Sequence, residues 1–126
     1  MSARHEAKNV LGGALEDCST DPVTGWFRDG CCRSAKEDRG VHTVCIEATD
    51  EFLKFSASVG NDLSTPMPGF QFPGLKAGDQ WCLCAARWLE AYEANVAPGV
   101  VLSATDEKTL DVVPLVALLT HAIDVH

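Results

Sequence analysis

Apolar positions in this chain come in short blocks, separated by stretches dominated by Gly, Pro, Asp, Ser and Thr. The first block, Asn9-Val10-Leu11, runs into Gly12-Gly13 and predicts a brief strand or extended entry. Residues 17–40 follow with only Val23, Trp26 and Phe27 as large anchors among Cys, Ser, Thr, Asp, Pro, Gly and Arg. That composition predicts a long structured loop, and loops of this length inside a compact domain tend to be functional.

Residues 41–48 read as a strand, because Val44-Cys45-Ile46 is an apolar run beside β-branched Val41 and Thr43. Thr49 then supplies an N-cap oxygen, and Asp50 and Glu51 place carboxylates at the positive end of a helix whose apolar side is Phe52, Leu53 and Phe55, as far as Gly60. The strand-and-cap pattern returns fifty-six positions later, where 100–107 repeats the Ala-Thr-Asp-Glu of 48–51. Two readings fit: one capping solution reached twice, or an old duplication.

Between these units, residues 61–78 hold Pro66, Pro68 and Pro73 with Asn61-Asp62 and Ser64-Thr65, which predicts a second loop cluster built of turns. Trp81, Cys84, Ala85, Trp88 and Tyr92 fall at helical spacing, so a helix is expected over 80–94, capped by Asp79 and ended at Ala97-Pro98-Gly99. A strand at 80–84 would instead put Cys82 and Cys84 on one face. Asp111-Val112-Val113 predicts a short edge strand, and Pro114 opens a last helix carrying Leu115, Leu118, Leu119 and Ile123. The expected architecture is α+β: one compact domain over 1–126, a small sheet with three or four helices, and two long irregular loop regions, with residues 1–7 flexible.

Composition adjusts this picture in three ways. At 126 residues and 46% hydrophobic content the chain can bury a sufficient core without metal or disulfide, so its six cysteines need another explanation. Eighteen Asp and Glu against ten Lys and Arg give a net charge of −8, which repels a phosphate backbone and argues against a nucleic-acid partner. The acidic surface with five lysines suits concentrated salt, so a halophilic source is expected, with a melting temperature that rises between low and molar salt. No apolar run approaches a membrane span and residues 1–8 have no apolar segment, so the expectation is a cytoplasmic protein without a membrane partner, its cysteines mostly thiols.

Candidate chemistry gathers on the loops. The adjacent Cys31-Cys32 and alternate Cys82-Leu83-Cys84 lack zinc-knuckle spacing. Cys45 lies inside a strand and Cys84 on the Trp81–Trp88 face, so both read as core residues. Cys18, Cys31 and Cys32, near Asp17, Asp21, Arg28 and Asp29, are left as chemical thiols. His42 follows that loop closely enough to act as base or ligand to one of them, whereas His5, His121 and His126 lie near the termini. Asp62, Ser64 and Thr65 can hydrogen-bond a small ligand or simply build a turn. Phosphate-cradling glycine loops, nucleophile elbows and paired helical histidines are absent from the sequence.

Seven ordered blocks cover nearly the whole chain: 9–13 (NVLGG), 18–25 (CSTDPVTG), 28–32 (RDGCC), 42–45 (HTVC), 60–66 (GNDLSTP), 72–75 (FPGL) and 78–88 (GDQWCLCAARW). Together they resemble an uncharacterised bacterial domain-of-unknown-function family. The resemblance implies a small soluble bacterial protein and carries no substrate or catalytic residue with it. Gln80 departs from the family pattern, where a basic residue is expected.

The residues support first a small-ligand or metal-ion binding domain, its pocket assembled from both loop clusters. Cys18, Cys31, Cys32 and His42 are the metal candidates, and Arg28, Asp29, Asp62, Ser64 and Thr65 the ligand-binding ones. A thiol enzyme or redox protein using Cys18 or Cys31 with His42 is the alternative, and an interaction module without a small-molecule site the third. A small molecule is the expected class of partner, and oligomeric state stays open.

Overall fold

The computed structural model describes residues 7–70 and 72–124. His5 and His126 lie outside the described residues. Three antiparallel strands form one sheet in the order β2-β1-β3: β1 is His42–Glu47, β2 is Gln80–Cys84 and β3 is Gly99–Val100. Three α-helices accompany it, α1 at Asp50–Ser58, α2 at Ala85–Glu93 and α3 at Leu115–Thr120, so the fold is α+β as the pattern predicts. Among the described residues no helix is long and apolar enough to cross a membrane.

The first strand–helix unit forms as its residues dictate. Thr49 caps α1 by accepting from the Phe52 N–H at 3.1 Å, and Phe52 and Leu53 are buried on the helix's inner side. The repeat of that unit ends differently. Asp106 rather than Thr105 supplies the capping oxygen, and it caps a 3₁₀ turn, Glu107–Asp111, that runs into a turn at Val112 and a bend at Val113, so the edge strand predicted at 111–113 does not form. Thr105 is fully buried instead, its hydroxyl accepting from the Cys45 N–H and donating to the Val101 carbonyl. At the other end of the chain, Asn9 makes isolated bridge contacts and a turn rather than a strand. The last helix stops at Thr120, short of Ile123.

The predicted helix over 80–94 is corrected to a strand followed by a helix. Residues 80–84 pair with β1, placing Cys82 opposite Cys45 and Leu83 opposite Val44. Cys82 and Leu83 point to opposite faces of the sheet and are both buried, a demand no helix register meets. Only from Ala85 does the helical stripe take over, burying Ala85, Trp88 and Ala91. Asp79 consequently closes a turn, accepting from the Lys76 N–H, and caps no helix.

The two faces of the sheet differ in chemistry. Val44, Ile46, Leu83 and Val100 pack with Phe52, Trp88, Leu102 and Leu118 into the main core. The opposite face is a small cluster of Cys18, Cys32, Cys45, Cys82 and Ala104. Two disulfides run through it, Cys18–Cys45 and Cys32–Cys82, with Cα separations of 5.6 and 5.3 Å. They staple the irregular segment 17–33 onto β1 and β2. Thr24 of the same segment, fully buried, accepts from the Cys82 N–H at 2.8 Å and so covers the outer edge of β2.

Candidate functional site

Stapling the first loop to the sheet edge leaves a cavity of about 480 Å³ between the loop tip, β2 and the start of α2. Trp26 and Arg28 enter it from the loop, His42 from β1, Trp81 and Cys84 from β2, and Arg87 from α2. Asn61 and Leu63 of the second loop cluster line it too, so both irregular regions contribute to one concave surface.

His42 owes its place to a β-bulge. The pairing of β1 with β2 shifts between Val44 and His42, so that His42 rather than Thr43 stands opposite Cys84. The displaced Thr43 is buried and anchored by a 2.7 Å hydroxyl contact with Thr109. Asp38, whose side chain is 1% exposed, takes the imidazole from behind: Oδ1 is 2.6 Å from Nδ1, and Oδ2 accepts the His42 backbone N–H at 2.8 Å. Both carboxylate oxygens are committed to one histidine. Nδ1 is taken up by Asp38, which leaves Nε2 as the ring nitrogen without that contact, and the side chain is 42% exposed and lines the cavity.

Cys84 is the N-cap residue of α2 and is half-buried, outside both disulfides. Its Sγ lies 2.7 Å from the Gly40 carbonyl oxygen, to which it donates. The His42 ring packs against the same glycine: a Cβ at position 40 would stand 2.6 Å from its Cε1 atom. Gly40 is thus the point at which the thiol and the imidazole both touch, and its missing side chain is what admits the ring. Next to it, Val41 has φ of 52°, a left-handed conformation costly for a β-branched residue. Its carbonyl accepts from the Ala85 and Thr43 N–H groups, which ties the start of α2 to this corner. Arg28 at the loop tip is left-handed as well, with φ of 56°. Strained backbone of this kind gathers at functional sites.

The electrostatics of the cavity run against those of the chain. In a protein of net charge −8, the described residues that line the cavity include two arginines and a histidine and no Asp or Glu, while the carboxylates of Asp38 and Glu90 stand behind His42 and beside Arg87. Arg28 donates to the Val23 carbonyl at 3.2 Å with its guanidinium carbon 5.5 Å from the centre of the Trp81 ring. Arg87 donates to the Val59 carbonyl and to Glu90, each at 3.2 Å. Trp26 stacks near His42 at a centroid distance of 6.4 Å. Planar apolar walls, two guanidinium groups and the N-terminal end of α2 together favour a small anion.

Of the residues singled out in the sequence, the structure brings Arg28 and His42 to this cavity and leaves the others elsewhere. Cys18 and Cys32 are disulfide-bonded and buried, which removes them as thiol nucleophiles in this form. Cys31 stands outside both disulfides but has no exposed surface, and its N–H donates to Asp29. Asp29 is occupied by that turn and by Arg33, 3.6 Å away. Asp62 builds its own loop: it accepts the Thr65 hydroxyl and the Ser64 and Thr65 N–H groups, and the Thr65 hydroxyl bond foremost holds its carboxyl below the usual value. Ser64 and Thr65 are exposed turn residues.

Two residues at this corner, Cys84 on the cavity wall and Asp38 behind His42, are not among the site candidates of the sequence. Cys84 was assigned to the core by the helical stripe, although a strand at 80–84 followed by a helix would have put it at a helix N-terminus. Asp38 is four residues before His42, a spacing that carries no distinct signal in an irregular loop.

For a metal, Cys18, Cys32 and Cys82 offer sulfurs within 4.8 Å of one another, all buried. Each is consumed by a disulfide here. A second concavity of about 740 Å³ lies between the two loop clusters, with Pro22 and Val23 on one side and Phe70 and Phe72 on the other, and Arg28 belongs to both.

A family model described as an uncharacterized protein conserved in bacteria, DUF2237, matches residues 8–122. The chain belongs to that family. No curated protein matches it.

Proposed function

Starting from membership of that bacterial family, we propose that this chain is a thiol-dependent enzyme acting on a small anionic substrate, with Cys84 as nucleophile and His42 as its base. The convergence of Sγ and imidazole on Gly40, with Asp38 buried behind the ring, is the observation that carries this reading. His42 Nε2 accepts the Sγ proton and the sulfur attacks an electrophilic carbon of the substrate. As the new S–C bond forms, the bond to the leaving group breaks, and the leaving group departs with the proton held by the imidazole. Where that carbon is an acyl carbon, His42 then takes a proton from water, the water oxygen bonds to the carbon as the S–C bond breaks, and the Cys84 sulfur takes the proton back from the imidazole. Asp38 positions the ring and does not itself exchange the proton. Arg28 and Arg87 hold the substrate's negative group, and Trp26 and Trp81 wall the cavity against its planar portion.

This replaces Cys18 or Cys31 by Cys84 in the Cys–His pair anticipated from the sequence. Two alkylating reagents of equal size test it. Native protein is treated with iodoacetate, an anion, or iodoacetamide, which is neutral, and the label is mapped by mass spectrometry. Cys84 is expected to be labelled first. Relative to a free cysteine standard, iodoacetate is favoured about tenfold, the scale of one well-placed cation, and Arg87→Gln or Arg28→Gln reduces that preference. Labelling at Cys31 instead, or equal treatment of the two reagents, contradicts the proposal.

A further inference from the structure

The four bonded cysteines come from separate segments, Cys18 and Cys32 from the long loop, Cys45 from β1 and Cys82 from β2, yet they converge on one place. Two staples holding one loop need not touch. Here they lie side by side, with the sulfurs of Cys18, Cys32 and Cys82 all within 4.8 Å of one another and Cys45 bonded to Cys18. Four thiolates around a zinc ion sit about 2.3 Å from the metal and about 3.8 Å from each other. Three of these sulfurs already lie within 4.8 Å of one another, and Cys45, bonded to Cys18 but outside that group of three, has to swing towards the others once its disulfide opens. The main core of Phe52, Trp88, Leu102, Leu118 and their neighbours is built on the other face of the sheet, so convergence of the sulfurs is not a requirement of hydrophobic burial.

We propose that Cys18, Cys32, Cys45 and Cys82 form a redox-switched zinc site: two disulfides when oxidised, one tetrathiolate Zn²⁺ centre when reduced. Each disulfide takes two electrons and two protons from a dithiol, which becomes a disulfide in turn. The four resulting thiols then lose their protons to solvent as Zn²⁺ binds. Both forms join the same four points of the backbone, so the loop carrying Trp26 and Arg28 stays fixed to the sheet through the exchange. The inference does not rest on the proposed thiol chemistry, since neither Cys84 nor His42 takes part, although Cys82 also borders that cavity.

The full chain is reduced with a phosphine under anaerobic conditions, freed of reductant and titrated with Co²⁺, then Zn²⁺. The expected result is one Co²⁺ per chain with the intense sulfur-to-cobalt absorption of four thiolates, displaced by one Zn²⁺, and no such absorption in the oxidised protein. Cys31→Ser and Cys84→Ser leave the titration unchanged. Cys45→Ser drops the absorption to three thiolates and weakens Zn²⁺ by about tenfold or more, while the pair Cys18→Ser with Cys45→Ser leaves only the Cys32 and Cys82 thiolates after reduction and abolishes stoichiometric binding. Circular dichroism follows folding throughout. A reduced chain that unfolds and regains its spectrum on adding one Zn²⁺ supports the switch. A reduced chain that takes up no Co²⁺, unfolded or not, overturns it, as does binding lost with Cys31→Ser or Cys84→Ser.

Discussion

The two faces of the sheet solve different problems. On one, Trp88, Phe52, Leu102 and Leu118 are buried against Val44, Ile46 and Leu83, and the helices are held by apolar area. On the other, a handful of sulfurs and Ala104 stand where a second layer would be, and what they hold is an irregular loop. The apolar face makes the fold. The sulfur face positions Trp26 and Arg28 over the edge of β2 and thereby shapes the cavity. Stability and site geometry should therefore be separable by which face is damaged.

Trp88→Ala is the harshest test of the apolar face. The ring is fully buried and its Nε1 donates to the Pro98 carbonyl, so the loss should be about 3–5 kcal/mol in denaturant unfolding. In the fraction that stays folded, Cys84 should keep its preference for iodoacetate. On the sulfur face, stability and reactivity should fall together. Replacing Cys18 and Cys45 together by Ser, a pair separated by 27 residues, should cost about 3 kcal/mol through the freed unfolded chain and should also erode the anion preference, since the loop bearing Arg28 loses an anchor. If both variants alter reactivity alike, the division between the faces fails.

Gly40→Ala is a gentler probe. The glycine has an ordinary backbone conformation, so the strain is confined to the new methyl group, which displaces the His42 ring from Asp38; the fold should lose about 1–3 kcal/mol and Cys84 alkylation should slow by about tenfold. The smallest effect is expected at Asp124, which accepts the Leu102 and Ser103 N–H groups. Burial opposes its charge, yet those N–H groups hold its carboxyl below the ordinary value of 3.8. Its contribution is complete above that value and is lost as pH falls through the lower folded one, so Asp124→Asn should show its full, small loss of stability at neutrality, a loss that shrinks below about pH 4 and leaves the acid side of the profile flatter.

Much of the frame was legible in the sequence, because it rests on local chemistry. Thr49 with Asp50 and Glu51 announces α1, and the proline turns of 61–78 announce a loop. Residues 80–94 were not, since Trp81, Cys84, Trp88 and Tyr92 fit a helical period, whereas the pairing of Gln80–Cys84 with β1 is a tertiary fact. The site suffered from the same error. Once Cys84 is read as a strand end and helix cap it falls on the cavity wall, and once Cys45 and Cys82 are known to be cross-strand neighbours the loop cysteines become their partners. Those pairings join residues 27 and 50 positions apart, a distance at which spacing alone says nothing. The convergence of the two loop clusters, by contrast, followed from both being irregular connections around one small sheet.

The most direct measurement is the second-order rate of Cys84 alkylation by iodoacetamide in the native protein, His42→Ala and Asp38→Asn, each checked for fold by circular dichroism. The account predicts a loss of about a hundredfold without the imidazole and an intermediate loss when Asp38 no longer fixes the ring. Folded variants that react as fast as the native protein would contradict it.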